Sequence, residues 1–190
     1  MRGTGLVLAA GGSLRLGEAK QLLAYRGRTL LDASLDVARA CGFRQILVTL
    51  GGSGDAVREK VDLSGCTVVD NPDFSTGCGS SISSAVGRVA TGELVLLLGD
   101  QPGIDPHDVR RLLDAPTPMA VCRYEDGLGH PFLFRRAVFP ALADLHGDKA
   151  VWKLLHSGAH AVTEVEALGP VPIDVDTRDD YRRLLAGERR

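Results

Sequence analysis

Four short apolar runs punctuate the first hundred residues, and each ends in a chain breaker. Gly5-Leu-Val-Leu-Ala-Ala10 stops at Gly11–Gly12, Gln45-Ile-Leu-Val-Thr-Leu50 at Gly51–Gly52, Cys66-Thr-Val-Val-Asp70 at Asn71–Pro72, and Glu93-Leu-Val-Leu-Leu-Leu98 at Gly99. Continuous apolar runs without alternation predict strands buried on both faces of a parallel sheet. Between them, Thr29 to Ala40 places Leu30, Leu31, Leu35 and Ala38 on one helical stripe, and Gly79 to Val89 does the same with Ile82, Ala85, Val86 and Val89. Alternating strand and helix predicts an α/β fold: a single-domain, Rossmann-like, mostly parallel sheet flanked by helices. In such sheets ligands sit beyond the carboxyl ends of the strands, where the glycine clusters fall.

After Pro118 the pattern loosens towards α+β. Met119–Cys122 reads as a strand, and Gly127–Phe134 as a turn entering a short strand. Helices are expected at Ala137–Leu145 and Val151–Leu155, strands at Val162–Val165 and Ile173–Val175, and a closing helix at Arg178–Leu185. No linker, repeat or low-complexity tract divides the chain. One domain is therefore expected over 1–190, with the regularly wound half at about 1–115 and the looser half at about 116–190.

At 190 residues the chain can bury roughly 70% of its unfolded surface in one core. A net charge of -2 gives no basic field to gather nucleic acid, and no run is long enough to span a membrane or arranged as a secretory signal. The cysteines at 41, 66, 78 and 122 show no CxxC spacing and read as free thiols, with Cys41 and Cys66 in apolar contexts and Cys78 in an exposed loop. A cytoplasmic location follows as the expectation.

Chemistry concentrates in Leu8-Ala-Ala-Gly-Gly-Ser-Leu-Arg-Leu-Gly-Glu-Ala-Lys20. Gly11 and Gly12 let backbone N–H groups approach an anion with no Cβ in the way, and Arg15 and Lys20 add positive charge suited to a triphosphate. The stretch lacks both the Walker spacing, since Glu18 follows Gly17, and the dinucleotide fingerprint GxGxxG, since Gly11 and Gly12 are adjacent. Downstream, Leu96-Leu-Leu-Gly-Asp-Gln-Pro102 ends a strand in Asp100, a sensible ligand for Mg²⁺, which prefers one or two carboxylates with phosphate oxygens and water. Capping of a helix begun by Pro106 is the competing role for an aspartate here, and Asp105 is better placed for it. A second carboxylate is sought in Asp148, or in Asp174 and Asp176, which alternation puts on one face of a strand; Asp174 is preferred.

With the next residues included, the stretch Leu8 to Leu23 resembles the signature LAAGxSxRMGxxKxLL of the MobA-like nucleotidyltransferases, and within that group is most similar to the molybdenum cofactor cytidylyltransferases. Leu16 replaces the usual methionine. The resemblance implies that Ala9, Ala10, Gly11, Gly12 and Ser13 wrap the phosphates of an NTP, that Arg15 and Lys20 act catalytically on the leaving pyrophosphate, and that Asp100 in its GDQP run binds Mg²⁺. The Ala9-Ala10-Gly11 turn favours CTP over GTP. Asn71 to Ile82 is similar to the family's NPxWxxGMxxSL, which implies contacts of Gly77 and Ser81 with base or ribose; Phe74 and Cys78 replace tryptophan and methionine. Gly129-His130-Pro131 resembles the acceptor-side GHP element. His130 thus has two readings, an acceptor-phosphate ligand or a structural histidine in a turn. Pro172-Ile-Asp-Val-Asp-Thr177 looks like the DIDT segment, and Gly147-Asp-Lys-Ala150 like GDKGA without its second glycine. The implied reaction is transfer of CMP to a phosphorylated acceptor of molybdopterin type, with the product passed to a molybdenum hydroxylase. A guanylyltransferase, a sugar- or alcohol-phosphate nucleotidyltransferase and a non-catalytic nucleotide carrier are the alternatives.

Overall fold

The computed structural model of the chain describes residues 3–13 and 16–187. The apolar runs form strands β1 (Thr4–Ala9), β4 (Gln45–Leu50), β5 (Thr67–Asp70) and β6 (Glu93–Leu98). A small hairpin, β2 (Ala24–Tyr25) and β3 (Arg28–Thr29), turns through Arg26 and Gly27, both at positive φ. The second half adds β7 (Met119–Tyr124), β8 (Gly127–Arg135) and β9 (Val162–Glu166). The helices are α1 (Leu30–Ala40), α2 (Gly54–Lys60), α3 (Cys78–Val86), α4 (Pro106–Leu113), α5 (Phe139–Ala143), α6 (Ala150–His156) and α7 (Arg178–Leu185).

Seven strands make one sheet in the order β5-β4-β1-β6-β8-β7-β9. Only β8 runs antiparallel to its neighbours. Side chains alternate between two packed layers. Val7, Ala9, Val95 and Leu97 join Leu31, Leu35 and Ala38 of α1 and Val109 and Leu112 of α4 on one face. Leu6, Leu94, Leu96 and Phe132 join Ile82 and Ala85 of α3, Leu142 of α5 and Val151 and Leu155 of α6 on the other. Each such fully buried aliphatic or aromatic side chain contributes about 1.5–3 kcal/mol.

Local signals set the helix starts. Thr29 accepts from the Asp32 N–H while the Asp32 carboxylate accepts from the Thr29 N–H, a complete capping box. Thr177 and Asp180 repeat it at α7. Asp105 caps α4 by accepting from the His107 N–H, with Pro106 in the first turn, so Asp100 has no part in that cap.

Some expectations need correction. The segment Ile173–Val175 forms no strand and pairs in no sheet: Ile173 and Val175 are buried against Leu16, Leu23, Leu30 and Leu184, so side-chain packing replaces the ladder. The helix expected over Ala137–Leu145 is a 3₁₀ turn at Arg136–Val138 followed by the short α5. Ser80 and Ser81 lie inside the first turns of α3, whose N-cap is Gly77. Helix α2 and the β2–β3 hairpin carried too little apolar periodicity to be read.

Candidate active site

Strand β1 lies between β4 and β6, and the chain winds outwards through β4 and β5 before returning to β6 on the other side. The strand order therefore reverses between β1 and β6, the place where an open α/β sheet leaves a crevice at its carboxyl edge. The glycine loop leaves β1 at this point and Asp100 follows β6 beside it, joined where the Gly99 N–H donates to the Leu8 carbonyl at 2.9 Å.

The loop is held from beneath by Gln21, a side chain that sequence reasoning passed over. Its Nε2 donates to the carbonyls of Ala9 at 2.7 Å and Gly11 at 3.0 Å. Binding those two carbonyls inwards fixes the orientation of the intervening peptide units. Ser13, at φ 50, accepts the Lys20 N–H on Oγ at 2.9 Å and the Leu16 N–H on its carbonyl at 3.0 Å. Arg15 lies outside the described residues.

Gly11 and Gly12 are exposed, and neither has a left-handed φ. A Cβ at Gly11 would come no closer than 3.7 Å to Lys20, and one at Gly12 no closer than 3.5 Å to Phe74, both ordinary contacts. Among the described residues, nothing demands glycine at either position. Gly51 differs: its Cβ would fall 2.4 Å from the Ala10 carbonyl oxygen and against Phe74, so there the fold itself excludes a side chain.

Asp100 is buried, and Lys20 Nζ donates to its Oδ2 at 2.5 Å and to Asp176 Oδ1 at 3.0 Å. Burial lifts the Asp100 carboxyl above the ordinary range; the Lys20 charge pulls it back, and the neighbouring Asp174 and Asp176 push it up again. Burial alone would lower the Lys20 ammonium, but Asp100 and Asp176 outweigh it and hold the group above its usual value. Gln101 Nε2 donates to the Pro172 carbonyl at 2.6 Å, which ties the 172–176 segment to the end of β6. Of the two C-terminal aspartates, Asp176 pairs with Lys20, while Asp174 is half-buried and acts on Asp100 through its charge.

This donor set suits a hard divalent cation. Asp100 and Asp176 both pair with the Lys20 ammonium, and the Asp174 charge acts on Asp100. No group of three or more His, Cys, Asp or Glu side chains is gathered into a ready metal cage among those residues. Mg²⁺ typically takes only one or two carboxylates and completes its shell with phosphate and water.

Gly77 stands at φ 111, and a Cβ there would lie 2.4 Å from the Gly147 carbonyl carbon; the Gly79 N–H donates to the Gly147 carbonyl at 3.1 Å. The GDKGA-like loop thus keeps a close backbone contact with the start of α3. Ala150, in place of the second glycine, is the first residue of α6 and buried. Ser81 is buried, and its Oγ accepts from Asn71 Nδ2 at 2.9 Å, so this hydroxyl braces the Asn71 turn. His130 lies on β8 beyond the last β6–β8 pair, Leu96 with Phe132, on the side where β6 runs on to Asp100. Its ring stands edge-on to Phe132 at 4.6 Å, and its carbonyl accepts from the Tyr124 hydroxyl at 2.8 Å. Burial pushes its imidazole down to about 3, so it is neutral near pH 7.

A glycine loop and a buried carboxylate facing across a sheet's switch point define the class of nucleotide-handling α/β domains. The chain belongs to the MobA-like NTP transferase domain family, whose model matches residues 5–163, and it is a nucleotidyltransferase of that family. It is 32% identical to the nicotine blue oxidoreductase of Paenarthrobacter nicotinovorans, over 96% of each chain. It is 30% identical to the molybdenum cofactor cytidylyltransferase of Escherichia coli K12, over 97% of this chain and 95% of that one. Among solved structures, that of Rv0371c from Mycobacterium tuberculosis in complex with manganese superposes with a TM-score of 0.85 at 51% identity, covering 96% of this chain and 97% of the other.

Proposed function

We propose that this enzyme transfers CMP from CTP to a phosphorylated acceptor of molybdopterin type and releases pyrophosphate. The observation that carries the reading is the pair Gly11–Gly12: the described residues leave both positions room for a side chain, yet both stay bare beside the Lys20–Asp100 pair. Bare amides at a switch point are what a polyanionic tail requires. The kinship with a molybdenum cofactor cytidylyltransferase supports the acceptor, and Ala9-Ala10-Gly11 supports the cytosine base.

In this reading the loop from Ala9 to Ser13 binds the triphosphate through its N–H groups. Lys20 and Arg15 neutralise charge that builds on the leaving pyrophosphate. Asp100, with Asp174 as the preferred second carboxylate, would hold Mg²⁺, which supplies polarisation of the phosphate oxygens. The manganese complex of Rv0371c supports a divalent ion at a related chain. The acceptor phosphate attacks the α-phosphorus in line and is already ionised near pH 7, so no protein nucleophile is needed. His130, being neutral, would contribute a hydrogen bond rather than a charge to the acceptor. The acceptor half is assigned to about 116–190, and a molybdenum hydroxylase is the recipient of the product.

Pyrophosphate release from each of the four NTPs, with Mg²⁺ and molybdenum-loaded molybdopterin, tests the reading. CTP should turn over fastest, and Asp100→Ala should lower kcat by about 100-fold or more, the usual scale for losing a transition-state charge stabiliser. Preference for GTP, activity only with sugar phosphates, or binding without turnover would each overturn the cytidylyltransferase assignment.

A further inference from the structure

Lys20 occupies the carboxylate that the proposed metal would use. Its Nζ is 2.5 Å from Asp100 Oδ2 and 3.0 Å from Asp176 Oδ1, while its backbone N–H is fixed to Ser13 in the glycine loop. A buried carboxylate needs a cation beside it, and here the cation comes from the loop that binds the nucleotide. The lysine stem is long and flexible, so the ammonium can move while its backbone stays on Ser13. Beside a divalent ion on the same carboxylate, the ammonium would stand close to a like charge and be repelled.

We propose that Lys20 is a tethered counter-ion, which holds Asp100 in the nucleotide-free enzyme and passes to the triphosphate when nucleotide arrives, making metal capture conditional on nucleotide. The inference rests on the metal and phosphate assignments above. It adds an order to them: nucleotide phosphates draw Lys20 off, and only then is Asp100 open to the ion. By linkage, nucleotide and metal must strengthen each other's binding equally. Removing the ammonium should leave the Asp100 carboxylate open to a divalent ion directly.

The test is Mn²⁺ binding to the nucleotide-free chain, read by electron paramagnetic resonance of the free ion. Native protein is compared with Lys20→Met, Lys20→Gln and Asp100→Asn, each checked for its fold by circular dichroism. Lys20→Gln keeps a hydrogen-bond donor on Asp100 and guards against loss of the fold. Both lysine variants should bind Mn²⁺ roughly tenfold more tightly than native, within the usual range of coupling between sites. If Asp100→Asn loses Mn²⁺ but neither lysine variant gains affinity, the counter-ion role is wrong and the metal assignment stands. If Asp100→Asn binds Mn²⁺ like the native chain, the metal assignment itself fails. In the native protein, the ¹⁵N signal of the Lys20 ammonium should hold its position in Mg²⁺ alone and move when α,β-methylene-CTP is added. Movement in Mg²⁺ alone would also overturn the proposal.

Discussion

Replacing Gln21 with methionine keeps the volume of a 2%-exposed side chain but deletes the Nε2 donor that binds the Ala9 and Gly11 carbonyls at 2.7 and 3.0 Å. Two hydrogen bonds are lost and two loop carbonyls lose that donor; at about 1 kcal/mol for each bond and up to ~1–3 for a buried group left unsatisfied, the variant should be roughly 2–4 kcal/mol less stable. The functional effect comes from the same contacts. With those carbonyls released, the neighbouring loop amides, which the proposal assigns to the nucleotide, lose their fixed direction, and a misplacement near 1 Å is enough to cost about 100-fold in rate. Urea denaturation gives the stability, and pyrophosphate release well below the melting temperature gives kcat and KM for CTP. The KM for CTP should rise and kcat/KM fall by roughly 10–100-fold while the fold persists. Gln21→Met with native stability and native KM would refute the idea that this amide organises the loop.

Gly77→Ala forces a Cβ to within 2.4 Å of the Gly147 backbone at φ 111, and should destabilise the chain by about 1–3 kcal/mol in urea denaturation; a neutral result would mean that the two loops part without cost. The His130 imidazole, held at about 3 by burial, should show no titration between pH 5 and 9 in its ring NMR signals. Its folded value lies below the ordinary 6.5, so the unfolded chain binds a proton first; this contribution to stability is present above about pH 6.5 and is lost as pH falls towards 3. A midpoint near 6.5 in the folded protein would contradict the burial of the ring. Burial also pushes the Cys41 and Cys122 thiols up to about 12, so iodoacetamide at pH 8 should label exposed Cys78 first, and mass spectrometry showing Cys41 or Cys122 modified in the native state would contradict their packing.

The frame of the molecule was legible because buried parallel strands write themselves as unbroken apolar runs, and Leu30, Leu31, Leu35 and Ala38 do form the buried face of α1. The crevice was legible because Gly11–Gly12 and Asp100 directly follow such runs. What stayed hidden were residues whose work is long-range. Gln21 and Gln101 are single amides that bind carbonyls 10 and 71 residues away, and no local pattern marks such a partner. The alternation in Ile173-Asp-Val-Asp176 correctly separated buried Ile173 and Val175 from the more open aspartates, yet did not show that packing, rather than a sheet, holds the segment. Nor could sequence show that Asp176 would share Lys20 with Asp100. No helix among the described residues is long and apolar enough to cross a membrane, in keeping with the short apolar runs.

On the proposed reading, a triphosphate lies on the glycine loop opposite a divalent ion held by Asp100. Crystals grown with MnCl₂ and α,β-methylene-CTP, with data collected at the manganese absorption edge, put this to the test. An anomalous peak is expected in bonding contact with the Asp100 carboxylate and with phosphate oxygens that also accept from the amides of Gly11 and Gly12. A peak away from Asp100, or a nucleotide bound with its phosphates off that loop, would refute the proposed site.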